Sequence, residues 1–280
     1  MAVRVVTDST CDLAPETVAR LGITVIPLTV LFGDEALQDG IDIDATTFYD
    51  RLVAAPDLPK TSQPSVEAFL AVYRAIAAEG HEIVSIHISS RLSGTLNSAS
   101  VARENGDRDA RVELIDSYTV SIGLGVAVMA AAERAQKGGS LEEVAAAARS
   151  GMERAHVVVA LDTLEYLRRG GRIGRAGAFL GSALRIKPIV HLDGGEVAPL
   201  ERVRTHARAI RRIEEIATED RTIEALHVVW TGDDAAAATL LERVRPLLPH
   251  TQLEVAHIGP TVGTYVGPNA TGICTVRRER

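Results

Sequence analysis

Short apolar segments alternate with amphipathic helical patterns through the first half of the chain. Val3–Val6, Ile83–Ile88 and Val112–Ile115 have the composition of buried strands, and the segment that follows Ser65 carries apolar residues at helical spacing. Alternation of this kind is typical of a mostly parallel sheet covered by helices on both faces. It predicts an N-terminal α/β domain with a doubly wound sheet.

The pattern changes after about residue 155. Ile186–Leu192 and Glu196–Val203 flank Asp193-Gly194-Gly195, which is a strong signal for a β-hairpin. Further strand and helix patterns follow, and the one after Thr205 is predicted to be a helix. We therefore expect two α/β domains, residues 1–155 and 156–280, the second of which contains a mixed sheet.

The composition argues against several classes of protein. The chain has 280 residues and a formal net charge of −7, which is unlike a general nucleic-acid binder. Its two cysteines, Cys11 and Cys274, are too few for a disulfide framework or a cysteine zinc site, and no metal site is expected. The longest apolar stretch, Gly123–Ala132, is much shorter than the roughly 20 residues that cross a membrane, and no signal peptide is recognisable. We expect a cytoplasmic protein without stable membrane insertion.

Two loops rich in hydroxyl groups contain the first candidate ligand contacts. They are Lys60–Ser65, part of a linker-like loop, and Ser89–Thr95, which lies between a predicted strand and a helix. Thr61 and Ser93 can donate hydrogen bonds to a carboxylate or phosphate while remaining neutral, and a helix N-terminus adds a positive dipole. Ordinary helix capping by serine and threonine is the alternative interpretation.

Other polar residues also lie at the ends of predicted strands. Asp8, Ser9, Thr10, Asp116 and Ser117 are placed where an open α/β sheet binds ligands. They could line the same cleft as the hydroxyl loops. Hydrogen bonds from these side chains to the backbone of their own turns explain the same residues, and this second interpretation is favoured.

A run of arginine and glycine at 168–172 is unusual. Arginine binds carboxylates and phosphates in bidentate fashion, and glycines allow close backbone approach. A solvated helix end with a C-cap glycine gives the same residues. Arg172, beyond the glycines, is expected to turn inward, whereas Arg168 and Arg169 are expected at the surface.

No independent catalytic centre is evident in the sequence. The chain has no GxSxG, no Walker A motif and no GxGxxG. His87 lies in the middle of a predicted strand and is expected to pack in the core, while His257 ends a later strand.

An ordered set of motifs along the chain resembles the DegV family, the bacterial fatty-acid-binding proteins that serve fatty acid kinase. The motifs extend over nearly the full length and are Val6–Thr10, Asp12-Leu13, Ile26-Pro27-Leu28, Thr61–Ser65, Ser89–Ala99, Asp116-Ser117, Gly170–Ile173 and Lys187-Pro188-Ile189. Such an ordered set is much more specific than any single motif.

The resemblance implies a non-catalytic two-domain α/β protein that buries a long-chain acyl group near the junction of its domains. It assigns the carboxylate of the fatty acid to Thr61 and Ser93, with Arg172 in a supporting network. The fatty acid is then the only small ligand expected, with no other cofactor. The protein would present it to a separate ATP-dependent fatty acid kinase. For the walls around the tail, the helix near Phe69 and the segment 179–184 are the first candidates.

Near the C-terminus the chain departs from the family pattern. Tyr265 stands where the family usually has histidine, and Asn269 replaces a glycine. A tyrosine hydroxyl can still donate a hydrogen bond, so Tyr265 joins Arg172 in the supporting network, but its usual pKa of about 10 keeps it neutral. Two alternatives remain open: a sensor or carrier of a different amphiphile, and a phosphoryl- or acyl-transfer enzyme that uses Asp8, Ser9 and Asp116.

Overall fold

The computed structural model describes residues 2–107, 110–180, 186–220 and 222–279. In chain order its strands are β1 (Val3–Asp8), β2 (Thr24–Ile26), β3 (Thr29–Phe32), β4 (Glu35–Gln38), β5 (Lys60–Ser62), β6 (Glu82–His87), β7 (Val112–Asp116), β8 (Ala155–Ala160), β9 (Lys187–Asp193), β10 (Glu196–Val203), β11 (Ile223–Trp230), β12 (Gln252–His257) and β13 (Thr271–Arg277). Its helices are α1 (Pro15–Leu21), α2 (Ala45–Ala54), α3 (Val66–Ala78), α4 (Thr95–Glu104), α5 (Ile122–Gln136), α6 (Leu141–Arg154), α7 (Glu165–Arg169), α8 (His206–Glu219), α9 (Ala235–Val244) and α10 (Pro260–Val266). Short 3-10 turns lie at Ser9–Cys11, Gly174–Phe179 and Arg245–Leu247.

The N-terminal domain is built on a four-stranded parallel sheet in the order β2-β1-β6-β7. Successive side chains of a strand point to opposite faces, so both faces of this sheet carry apolar residues. Val5 packs with Leu124 of α5 and Val144 of α6, whereas Val6 packs with Phe69 of α3 on the other face. The predicted doubly wound sheet is confirmed.

The C-terminal domain contains a six-stranded mixed sheet in the order β10-β9-β8-β13-β11-β12. Only β11 and β12 pair in parallel; the other neighbours are antiparallel. The β9–β10 hairpin turns at Gly194 and Gly195, whose φ angles of 59° and 85° suit glycine. Helices α8 and α9 cover one face, and α10 packs on the other. The predicted mixed sheet is confirmed, whereas the boundary after residue 155 remains a prediction.

A small antiparallel sheet in the order β4-β3-β5 corrects one expectation. Lys60–Ser62 was expected within a linker-like loop, but it pairs with β3, with Thr61 opposite Val30. The pairing satisfies backbone groups that a loop would leave to water. Because its partner lies about 30 residues away in sequence, no local pattern marks this strand.

Four helices begin directly after residues whose side chains cap them. The side chains of Asp44, Ser65 and Thr205 each accept a hydrogen bond from a backbone amide in the first turn of α2, α3 and α8. Ser140 and Glu143 form a reciprocal capping box at the start of α6. Across the described ranges, the longest apolar helices are still too short to cross a bilayer.

Candidate functional site

A cavity of about 70 Å³ lies between the N-terminal sheet and the six-stranded sheet. Its lining includes all four residues singled out in the sequence: Thr61 on β5, Ser93 just before α4, Arg172 after α7 and Tyr265 in α10. These residues come from four segments that are distant in sequence. The fold therefore brings the two hydroxyl loops, the arginine–glycine run and the C-terminal tyrosine to one place.

The hydroxyl groups of Thr61 and Tyr265 are hydrogen-bonded, with 2.6 Å between their oxygen atoms. The antiparallel pairing of β5 with β3 fixes the position of Thr61. The tyrosine ring lies directly against Gly170, where a Cβ atom would overlap its edge. Gly170 therefore allows Tyr265 to reach Thr61.

Ser93 lies at the start of α4. Its hydroxyl oxygen is 2.9 Å from the hydroxyl of Thr95 and accepts a hydrogen bond from the Thr95 amide at 3.3 Å. It therefore stabilises the turn before α4, whereas the N-cap residue of this helix is Gly94, which has no capping side chain. Ser93 also lines the cavity, so its role in this turn and a ligand contact are compatible.

The two hydroxyl loops are in direct contact. Gln63 of the first loop donates a hydrogen bond to Ser98 in α4 at 2.9 Å, and its amide group lies against Gly94 of the second. The second loop also contacts the C-terminal domain, because the Ser89 hydroxyl donates to the Gly195 carbonyl at 2.8 Å. The β9–β10 hairpin is thereby held beside Ser93.

Arg172 supplies positive charge at the rim of the cavity. It is exposed, and its guanidinium donates to the carbonyl oxygens of Leu92 at 3.1 Å and Gly170 at 2.9 Å. It also lies 5.1 Å from the centre of the Tyr265 ring, within the range of a cation–π contact. Among the residues that the structure describes, no carboxylate pairs with it, whereas Arg168 pairs with Glu165 at 2.8 Å.

The remainder of the cavity is mostly apolar. Apart from Thr261, which is described below, its other lining residues are Leu28, Ile88, Leu92, Val120, Leu167, Val197, Val262 and Val266. Phe69 is not among them; it packs edge-on against His87, with 5.0 Å between ring centres. The expected wall segment 179–184 falls partly outside the described residues. Three of its polar residues lie together, because Thr61 and Arg172 both contact Tyr265.

The polar residues at the strand ends form a network of their own instead of lining the cavity. Asp8 accepts hydrogen bonds from Thr10 at 2.5 Å and from the Ile88 amide at 3.0 Å, and it pairs with His87 at 2.9 Å. His87 is fully buried, in keeping with a core role. Asp116 accepts from the backbone amides of Ser90 and Tyr118. The turn-stabilising interpretation holds for the amides of Thr10 at Asp8 and of Tyr118 at Asp116. The contacts with His87, Ile88 and Ser90 instead join these carboxylates to a neighbouring strand and the loop that follows it.

His257 lies away from the cavity. Its ring stacks between Trp230 and Tyr49, with 4.9 Å and 5.5 Å between ring centres. Burial lowers the pKa of His257 below its usual value. Its position at a strand end is explained by this packing.

Two further carboxyl groups next to the site are not predicted by the sequence pattern. Asp12 accepts a hydrogen bond from the Gly259 amide at 3.0 Å, and Asp39 accepts one from the Thr261 amide at 3.2 Å. Thr261 lines the cavity. Burial raises the pKa of Asp12 to about 8 and that of Asp39 to about 6, and neighbouring carboxyl groups add to both shifts.

The comparisons with known proteins place this architecture in one family. A family model described as an uncharacterised protein of the DegV family matches residues 2–278. A DegV domain-containing protein of Streptomyces coelicolor is 40% identical over 282 residues, which cover 99% of each chain. The fold is that of a two-domain α/β protein of the kind seen in fatty-acid-binding relatives, and the chain belongs to the DegV family.

Two solved structures show what such relatives bind. The structure of a DegV family protein from Thermus thermophilus, which binds fatty acid, has a TM-score of 0.91 at 34% identity and covers 99% of this chain and 100% of its own. A stearic-acid-binding protein from Eubacterium ventriosum has a TM-score of 0.90 at 26% identity and covers 98% of each chain.

The raised pKa of Asp12 predicts a pH-dependent stability. The folded pKa of about 8 lies above the ordinary value of 3.8, so the folded protein holds the proton more tightly than the unfolded chain. The contribution of Asp12 to the free energy of unfolding is then fully present below about pH 4. It is lost as the pH rises through about 8, at no more than about 1.4 kcal/mol per pH unit. The Asp12→Asn variant should show a shallower decline in the free energy of unfolding, measured by urea denaturation between pH 5 and 9.

Asp50→Asn is the matched control, since it removes the same charge from an exposed position on α2. The other ionisable groups that act on Asp12 are Asp8 and Asp39, and Cys11 and Tyr49 lie in the same cluster. Asp39→Asn should flatten the profile only up to about pH 6. Parallel profiles for Asp12→Asn and wild type would contradict the assignment.

Proposed function

We propose that this protein binds a long-chain fatty acid, with its carboxylate at Thr61 and Ser93, and presents it to a separate ATP-dependent fatty acid kinase. The observation that carries the proposal is that Thr61, Ser93, Arg172 and Tyr265 line one mostly apolar cavity, in which Thr61 and Arg172 both contact Tyr265. Neutral hydroxyls and one arginine can donate hydrogen bonds to a carboxylate. The apolar walls suit an alkyl tail, of which each buried methylene contributes about 0.8 kcal/mol.

The volume of the cavity requires that its walls move when a long chain binds. At about 70 Å³ it is well below the roughly 300–1,000 Å³ of typical ligand pockets. Its walls come from both domains, for example Ile88 and Val197, so a small change in the domain arrangement would enlarge it. Opening on a loop or domain hinge is a common way to admit a ligand to a closed site.

The location of the polar groups supports presentation to a partner. Arg172 is exposed and Ser93 is half-buried, so the carboxylate end of the site lies toward the surface while the apolar walls extend inward. A carboxylate held there would remain within reach of a second protein. This arrangement suits the role of a substrate-presenting subunit.

The groups around the cavity support a binding role over catalysis. Its lining residues supply hydroxyls and one guanidinium, and among the described ones none is a carboxylate, an imidazole or a thiol. A nucleophile paired with a general base is the usual requirement for acyl transfer.

Both cysteines are buried and unpaired, which is consistent with the reducing cytoplasm where ATP-dependent kinases act.

Mass spectrometry of lipids extracted from the purified, untreated protein tests the ligand. We expect one fatty acid class near equimolar ratio, because apolar burial and the polar cluster act on the same molecule. Bovine serum albumin carried through the same extraction serves as a positive control for recovery. Recovery of a different amphiphile in place of fatty acid would favour the sensor or carrier alternative.

Loss of the cavity hydroxyls should weaken binding. Ser93→Ala and Thr61→Val each remove one donor to the carboxylate, and hydrogen bonds to charged groups contribute about 1.5–3 kcal/mol. We expect the Kd for oleate to rise by about tenfold or more in calorimetric titrations. Ser100→Ala on the outer part of α4 is the matched control and should bind as wild type. Unchanged affinity in both cavity variants would refute the assignment of the carboxylate.

If the protein presents a fatty acid to a kinase, only the kinase should use ATP. The lipid-loaded protein alone should not consume ATP. Addition of a bacterial fatty acid kinase should yield acyl phosphate, which is measured by trapping with hydroxylamine. Arg172→Ala should reduce this yield at saturating fatty acid. ATP turnover by the isolated protein would instead support the transferase alternative.

A further inference from the structure

Helix α10 forms a large part of the cavity wall. The helix has only seven residues, and four of them line the cavity: Thr261, Val262, Tyr265 and Val266. Tyr265 among them is the partner of Thr61. A small shift of α10 would therefore move one apolar wall and a part of the polar cluster together.

The start of α10 has no cap of its own. The first amides of a helix lack partners within the helix, and the N-cap residue here, Gly259, has no side chain to supply one. The acceptors come instead from the other end of the chain: Asp12 binds the Gly259 amide at 3.0 Å and Asp39 binds the Thr261 amide at 3.2 Å. These contacts span 247 and 222 residues.

Each carboxyl group also contacts a second part of the cavity wall. Asp39 accepts from the Ser9 hydroxyl at 3.1 Å, and that oxygen accepts from the amide of Leu28 at 3.0 Å, so Asp39 links α10 to Leu28, which also lines the cavity. Asp12 accepts from the Ser121 hydroxyl at 2.5 Å. Ser121 follows Val120, which is a further lining residue.

We propose that Asp12 and Asp39 are positioning residues of the acyl-binding site, which hold α10 in register with the walls supplied by the N-terminal domain. This inference rests on the function proposed above. The two carboxyl groups do not line the cavity; they act through Thr261, Tyr265, Leu28 and Val120. Their removal should therefore change ligand affinity more than the loss of an ordinary helix cap elsewhere.

Other contacts keep α10 folded when a carboxyl group is removed. The Tyr49 hydroxyl donates to the Ile258 carbonyl at 2.9 Å, and Gly263 lies so close to Phe48 and Tyr49 that a Cβ atom would overlap them. Helix α10 is thus anchored on α2 independently of Asp12 and Asp39. The two carboxyl groups then adjust the position of α10 on α2.

Asparagine variants keep a hydrogen-bond acceptor at both positions. In Asp12→Asn the amide oxygen can still accept from Gly259 and the amide nitrogen can donate to Ser121. Asparagine also tolerates the left-handed backbone at this position, where φ is 48°. Asp39→Asn likewise keeps an acceptor for Thr261. Alanine removes these hydrogen bonds at both positions.

The experiment measures the Kd for oleate by calorimetry and the Tm for wild type, Asp12→Ala, Asp39→Ala and the two asparagine variants. Loss of an N-cap acceptor corresponds to about five- to tenfold in an equilibrium constant, so we expect the alanine variants to bind that much more weakly. The asparagine variants should bind within about twofold of wild type, because each keeps the acceptor. Ser140→Ala, which removes the cap of α6, is the matched control and should lower Tm while leaving the Kd unchanged.

The outcomes separate this inference from the proposed function. Absence of oleate binding by wild type would overturn the proposed function and this inference with it. Wild-type binding combined with unchanged Kd in the alanine variants, or with asparagine variants as weak as alanine, would overturn the positioning role alone. If an alanine variant does not fold, Ser9→Ala decides the matter for Asp39: weaker binding supports the link to Leu28, and unchanged binding refutes it.

Discussion

The hydrogen bonds from Asp12 and Asp39 to the start of α10 join the two ends of the chain at the cavity. A short helix without a capping side chain depends on acceptors from elsewhere, and here both come from the N-terminal domain. Charged or polar groups in such a position are costly to bury unless they are hydrogen-bonded, so each carboxyl group has two donors. The domain junction is consequently polar and specific at this point.

The rest of the site is assembled around that junction by backbone pairing and close packing. Strand β5 places Thr61, the hairpin at Gly195 contacts Ser89 beside Ser93, and Gly170 admits the ring of Tyr265. Each of these contacts joins segments from different parts of the sequence. A ligand held among them would therefore interact with both domains at once.

Local sequence signals predict much of this structure. The caps at Ser65 and Ser140 and the hairpin at Gly194 are set by a few neighbouring residues, and alternating strand and helix patterns predict the two larger sheets. The strand at Lys60–Ser62 was missed because only a distant partner makes it a strand. Asp12 and Asp39 were missed for the same reason: nothing near them in sequence indicates that their acceptor atoms meet α10. The grouping of Thr61 with Tyr265 rested on family resemblance, because spacing alone does not bring them together.

The hydrogen bond between Thr61 and Tyr265 gives both hydroxyl groups a partner within the protein. One of the two hydroxyl groups donates its proton to the other. A carboxylate placed between them could accept a hydrogen bond from each. In the proposed function the carboxylate would replace this internal hydrogen bond, which would offset part of the gain at the head group. Retention would then depend on the alkyl tail as well as on the polar groups, and the Thr61–Tyr265 hydrogen bond would form again when a partner draws the carboxylate outward. A site of this kind would suit the proposed role of presenting a bound fatty acid to a second protein.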